Sequence, residues 1–200
     1  MHAKTKRAVV ETALLVGLAI VIAVLLRAFV AQAFRIPSAS MEPQLMIGDR
    51  VVVSRLAYHL HDPRRGDIIV FDCPPAAGCP EKDGDALPVR AVKTVAEALL
   101  LRQPEIEEYI KRVIGLPGES VAGHDGAVWV DGHRLVEPYL PDGTYTSDFG
   151  PITVEPGKLW VMGDNRGSSA DSRVFGQIEQ DTIVGRAVLR VWPPQRLAFL

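Results

Sequence analysis

Two serines, Ser38 and Ser40, stand two residues apart in "RIPSASMEPQL", between Pro37 and Met41, just beyond the one long apolar run of the chain. Ser and Pro are ordinary turn residues, but paired hydroxyls can also do chemistry. A serine hydroxyl attacks a carbonyl only when a neighbouring group takes its proton. Histidine is the usual partner, so the histidines come first. His2 is terminal, His59 and His61 lie in the polar loop "YHLHDPRRG", and His124 and His133 flank the turns around "DGAVWVDGH". These read as surface histidines, and His59 and His61 with Asp62 fall short of a metal-ligand set. The G-x-S-x-G elbow of the α/β-hydrolases is absent as well.

Lysine can replace histidine if it is neutral at working pH. Burial against apolar surface lowers its ordinary pKa of about 10.4 by several units. After the apolar run the candidates are Lys82, Lys93, Lys111 and Lys158. Lys82 lies in the charged loop "EKDGD", Lys93 in the helix-like "AVKTVAEALL", and Lys158 after the turn "EPG". Lys111 differs from these. It lies inside "EYIKRVIGLPGES", where period-two alternation puts Tyr109, Lys111 and Val113 on one face of a strand. Desolvation between an aromatic and a β-branched residue would make it a base; an edge-strand lysine that discourages aggregation is the competing reading.

The elements that must position these groups are short strands. Beyond Arg35, prolines and glycines cut the chain into Val- and Ile-rich runs such as "DRVVVSRL", "GDIIVFD", "GAVWVDG", "KLWVMGD" and "TIVGRAVLRVW". Such a series predicts a mainly β, antiparallel, barrel-like or sandwich domain. Hydrophobic residues at 48% supply a core, and a net charge of −2 excludes an electrostatic footprint for nucleic acid. Cys73 and Cys79 bracket "PPAAG"; a disulfide across that loop and two free thiols both fit the sequence.

Residues 8–34 are apolar enough to supply the ~20 residues of a membrane helix. Lys4, Lys6 and Arg7 ahead of them favour a cytoplasmic N-terminus. A cleavable signal peptide ending near Ala31-Gln32-Ala33 fits the same pattern. On either reading the body of the protein lies outside the cytoplasm.

Four blocks, "PSASMEPQL", "RRGDIIVF", "IKRVIGLPGES" and "GDNRGSSADSRVFG", resemble in order the sequence blocks of the type I signal peptidases. These are membrane-anchored serine proteases that remove signal peptides from exported preproteins. The resemblance implies Ser40 as nucleophile, Lys111 as general base, and Ser38 as a hydroxyl that joins the Ser40 N–H in the oxyanion hole. It implies Ser169 as the residue that orients the lysine amine, with Ser168 its competitor, and Asp164, Asp171 and Arg173 as braces. Asp171 and Arg173, at i, i+2, share a face if the chain there is extended. Ile36, Leu45 and Ile110, with Tyr109 nearby, match walls of shallow pockets for small side chains at the −1 and −3 substrate positions; plain core packing is the alternative for each.

The resemblance further implies a single-pass anchor over residues 8–34, after residues 1–7 in the cytoplasm, and a catalytic domain over 35–200 on the outer face of the cell membrane. Residues 72–108, with a helix from about Val89 to Arg102, read as a family-variable insertion. The partners implied are signal-peptide-bearing preproteins and the lipid bilayer, and no metal, nucleotide or other cofactor is called for. Gln44 and Glu119 depart from the family's usual threonine and aspartate, which bears on turn stability. Two rival readings are a self-cleaving Ser–Lys regulator and a non-catalytic tethered β-domain that binds.

Overall fold

The computed structural model describes residues 11–12, 14–19, 31–78 and 108–200. Backbone contacts divide the chain into two units, Met1–Gln32 with Asp83–Glu105 and Ala33–Lys82 with Ile106–Leu200. In the first unit, residues 14–19 are helical and their apolar side chains are exposed, Leu14 by 68%. Among the described residues no helix is long and apolar enough to cross a membrane. The expected helix at Val89–Arg102, and Cys79, lie outside the described residues; Cys73 is disulfide-bonded.

The second unit is mainly β. The described strands are β1 (Ala31–Arg35), β2 (Arg50–Ser54), β3 (Ile68–Asp72), β4 (Glu108–Gly115), β5 (Ser120–His124), β6 (Ala127–Val130), β7 (His133–Arg134), β8 (Phe149–Thr153), β9 (Lys158–Met162), β10 (Ile178–Glu179), β11 (Ile183–Trp192) and β12 (Ala198–Phe199). Strand β1 thus occupies the last residues, Ala31–Phe34, of the run expected as an anchor. Two short helices, α1 (Ala57–Leu60) and α2 (Ser172–Phe175), interrupt the strands.

The described strands do not close into the expected barrel. They form an eight-stranded sheet in the order β1-β2-β11-β3-β4-β9-β10, with β12 beside β11, and a four-stranded sheet in the order β7-β6-β5-β8. Alternation in a sequence reveals that strands exist, but partner choice depends on register settled in three dimensions. The ten-residue β11 shows this: it pairs with β2, β3 and β12, with a bulge on each of its longer seams.

The small sheet has readable causes. Asp125-Gly126 and Asp131-Gly132 form its two-residue hairpin turns, and all four residues have positive φ, from 50° to 74°. That is the backbone a type I′ turn demands. The two sheets meet over Ile114, Val121, Val128, Val154, Trp160 and Met162, where Gly115 leaves no space for a Cβ against Val121, Trp160 and Val154.

The position of β4 matters most. It pairs with β3 on one side and β9 on the other, and its last six residues are buried. Lys111 stands opposite Ile69, and Arg112 lies between Ile68 and Met162. A strand flanked on both edges cannot carry an edge-guarding lysine, so that reading of Lys111 fails.

Candidate active site

The serine turn is built from the core outward. Ala39–Met41 form one turn of 3-10 helix, with Met41 fully buried in a cluster that holds Ile36, Leu45 and Ile110. Leu45 N–H donates to the Met41 carbonyl at 2.8 Å, Ile36 N–H to Asp49 O at 2.8 Å, and Gly48 N–H to Ile36 O at 2.9 Å. Arg196 donates to the Asp49 carboxylate and to Pro43 O, tying the loop to the C-terminal segment. Apolar side chains pointing inward thus fix a turn whose hydroxyls point the other way. Ser38 is the N-cap residue of this turn yet makes no capping hydrogen bond. Its Oγ lies 3.3 Å from Ser40 Oγ.

Lys111 reaches that turn from β4. Its Nζ donates to Ser40 Oγ at 2.8 Å and to Ile110 O at 2.9 Å, and the residue is 3% exposed. Burial lowers its pKa to about 8, against a smaller upward pull from the Asp171 and Asp164 carboxylates. The ring of Tyr109 lies 5.2 Å from Nζ. Tyr109 packs with Phe71 and Phe175, in a different cluster from Ile36, Leu45 and Ile110. The four expected pocket residues are therefore split three to one.

The segment from Gly163 to Arg173 closes over the serine turn. Asn165 N–H donates to Ser40 O at 3.0 Å, and its side-chain amide to Ala39 O at 3.1 Å. Gly163 N–H donates to Asp171 Oδ2 at 3.0 Å. A Cβ on Gly163 would overlap both the Ser169 hydroxyl and the Ser40 carbonyl oxygen. Ser169 Oγ is buried there beside the Asp171 carboxylate, whose charged form it favours, and the expected contact with the lysine amine is not made in this structure.

Asp171 and Arg173 do pair, through Nε at 2.9 Å and Nη2 at 2.8 Å. They do so as N-cap and second residue of α2 and not along an extended chain, because Asp171 also accepts from the Arg173 N–H. Burial pushes the Asp171 carboxyl up, but the Arg173 and Gly163 hydrogen bonds outweigh it and hold it below its ordinary range.

Several residues at the site carry no expectation from sequence. Arg112, next to the lysine, makes a bidentate pair with Asp164 at 2.8 and 2.6 Å and donates to Gly66 O at 2.8 Å. Its signal is a second charge inside a Val/Ile-rich run. Asn165 and Gly163 sit within a block already singled out, but their contacts are not readable from it. Glu119, a departure from the family pattern, accepts from Leu116 N–H at 2.7 Å and pairs with Arg65, so the longer carboxylate still braces its turn. Among the described residues no cluster of His, Cys, Asp and Glu could hold a metal ion.

A buried serine and lysine in contact, with the Ser38 hydroxyl 3.3 Å from the nucleophile candidate, fit a hydrolase, and comparison with known proteins says which. The family described as signal peptidase, peptidase S26, matches residues 9–192. The chain belongs to that family. A signal peptidase I of Leptolyngbya laminosa is 41% identical over 189 residues, covering 92% of this chain and 80% of the relative. That of Mycobacterium tuberculosis is 37% identical over 215 residues, covering 93% and 73%. That of Bacillus caldolyticus is 34% identical over 194 residues, covering 90% of each chain. The chain is a peptidase of this family, with a mainly β antiparallel catalytic body.

Proposed function

We propose that Ser40 and Lys111 form the catalytic dyad of a membrane-anchored endopeptidase that removes signal peptides from exported preproteins at Ala-x-Ala-like sites. The observation that carries this reading is the 2.8 Å contact between Lys111 Nζ and Ser40 Oγ in a water-poor setting. With its pKa held near 8 by burial, the amine is partly neutral in mildly alkaline solution and can accept a proton. Ser40 Oγ then gives its proton to Nζ as it bonds to the scissile carbonyl carbon. The carbonyl oxygen gains the negative charge, and the Ser40 N–H with the Ser38 hydroxyl are the donors proposed to meet it.

The protonated amine next delivers its proton to the leaving nitrogen, the C–N bond breaks, and the mature protein departs. The acyl group stays on Ser40. Lys111 removes a proton from water, which attacks the ester and frees the signal peptide with Ser40 restored. Ser169 is proposed to orient the amine during these transfers; its buried hydroxyl, which flanks Gly163 together with the Ser40 carbonyl, supports that role. Asp164, Asp171 and Arg173 act as braces. Ile36, Leu45 and Ile110 are proposed as pocket walls, supported by their shared cluster with Met41 beside the nucleophile.

The anchor is proposed from the apolar run, with its N-terminus in the cytoplasm and the catalytic body on the outer face. Exposed Leu14, Leu15 and Leu18 support a lipid environment for that segment. Tethering raises the effective concentration of a substrate whose own apolar segment lies in the same bilayer.

The test is cleavage of a preprotein with an Ala-x-Ala site by the detergent-purified chain. Wild type should cleave it, and Ser40→Ala and Lys111→Ala should each fall to background. Cleavage that survives either change removes the dyad assignment. Binding without cleavage by wild type would favour a non-catalytic β-domain.

A further inference from the structure

The second sheet carries no residue of the proposed dyad, yet the segment leaving its last hairpin enters the site. Between β7 and β8, the stretch "EPYLPDGTYT" sends three side chains inward, from Glu137, Tyr139 and Thr146. The Glu137 carboxylate meets Arg166 in a two-pronged pair, with Nη1 at 2.9 Å from Oε2 and Nη2 on Oε1. Both side chains are nearly sealed from water, 8% and 1% exposed. Thr146 Oγ1 accepts from the same guanidinium at 3.0 Å. Tyr139 donates its hydroxyl proton to Glu137 Oε1 at 2.6 Å, and its ring lies 3.8 Å beneath the guanidinium of Arg112.

Those two arginines both bond to one short loop, Gly163–Arg166, of which Arg166 is the last residue. Arg112 holds Asp164 by two hydrogen bonds. Arg166 Nε donates to Gly163 O at 3.1 Å. Between them sits Asn165, whose backbone and side-chain N–H groups grip Ser40 O and Ala39 O. The position of the nucleophile turn is therefore transmitted from Asn165 to Gly163–Arg166, and from there to Glu137 and Tyr139. A surface turn would not need a buried carboxylate in this place, since desolvating one is costly unless it is paired and fully hydrogen-bonded.

Resting on the dyad reading above, we infer that Glu137 and Tyr139 are positioning residues for catalysis: they set the loop Gly163–Arg166 that holds Ser40 against Lys111. They touch neither the reacting atoms nor the proposed pocket, so their influence falls on the chemical step and not on substrate affinity. Small errors in the placement of reacting groups cost as much as ~100-fold in rate. Glu137→Gln keeps the shape but removes the charge, while Tyr139→Phe keeps the ring over Arg112 and removes only the hydroxyl.

The experiment measures kcat, KM and thermal midpoint of the full chain in detergent, on the same Ala-x-Ala preprotein, at least 10 °C below each variant's own midpoint. Glu137→Gln is expected to lower kcat by ~10–100-fold with KM within about twofold of wild type. Tyr139→Phe is expected to lower kcat by a few-fold, and Glu137→Asp to recover part of what Glu137→Gln loses. Unchanged kcat in folded Glu137→Gln would overturn the inference, as would a loss carried by KM. If Glu137→Gln does not fold, Tyr139→Phe decides alone: a lowered kcat at constant KM supports positioning and a wild-type kcat refutes it. The dyad reading fails separately, through Ser40→Ala or Lys111→Ala retaining cleavage.

Discussion

Lys111 and Arg112 are neighbours on β4, almost equally buried at 3% and 6% exposure, yet the protein treats their charges in opposite ways. On the Arg112 side, Asp164 supplies a bidentate carboxylate and Gly66 a carbonyl, so the guanidinium is fully paired inside the core. On the Lys111 side the amine finds a hydroxyl and a carbonyl, both neutral. Its nearest influences of opposite charge, Asp171 and Asp164, are occupied by Arg173 and Arg112. The same depth of burial thus yields a paired guanidinium at one position and, at the next, an amine whose pKa is lowered to about 8, as the proposed proton acceptor requires. What differs is whether a free carboxylate is within reach.

The largest effect should come from erasing that difference chemically. Lys111→Arg puts a group that cannot lose its proton at working pH where the base belongs. Cleavage should fall by ~1,000-fold or more, on the scale of removing a general base, at every pH from 7 to 10. A variant that recovers activity at pH 10 would contradict a neutral amine as the working form.

The next effect is on stability. Arg112→Met leaves Asp164 as a buried carboxylate without its cation and should cost about 3–5 kcal/mol, read by denaturant unfolding. Arg112→Met with Asp164→Leu should regain most of this, because replacing both partners of a buried pair with apolar groups is near neutral. If the double variant is as unstable as the single, the pair is not a self-contained unit.

Gly163→Ala follows. A methyl group there has to displace the Ser40 carbonyl, which is backbone and cannot rotate away, as well as the Ser169 hydroxyl. A shift of the nucleophile turn should reduce kcat ~100-fold, and the overpacking should cost about 1–3 kcal/mol of stability, read as a lowered thermal midpoint.

The two sides of β4 were unequally legible in the sequence. Lys111 stands out because it lies in a Val/Ile-rich strand with few other lysines to compete, and Ser40 because a second hydroxyl and a proline frame it. The alternation around Lys111 correctly places Tyr109 and Val113 together in one cluster. The Arg112 side was closed to inspection. Its partner is 52 residues away, and Arg166 finds Glu137 across 29 residues in a stretch whose composition signals only a turn. The pairing of Asp171 with Arg173 could be expected from spacing, but its form, a helix N-cap, depends on a four-residue helix too short to show periodicity. The absence of a closed barrel among the described strands has the same origin: β11 is visible as a strand-like run, but its choice of partners and its bulges are not.

The smallest effect is the one that separates burial from function most cleanly. Lys111 has a folded-state pKa of about 8, below its ordinary value of 10.5, so the native state binds this proton less readily than the unfolded chain does. The unfolded state therefore holds more protons between about pH 8 and 10.5, and stability rises with pH across that window. Below pH 8 the whole penalty is present, and it amounts to about 3 kcal/mol by the ordinary conversion of a shift into free energy. Lys111→Met removes the penalty but forfeits the hydrogen bonds to Ser40 and Ile110. The net gain at pH 7 should be about 1–2 kcal/mol, shrinking to nothing or reversing by pH 10.5, while cleavage is lost throughout. Unfolding curves of the two proteins at pH 7, 9 and 10.5 measure it. A constant difference across that range would mean the amine titrates alike folded and unfolded, and the contrast between positions 111 and 112 would then lie in packing alone.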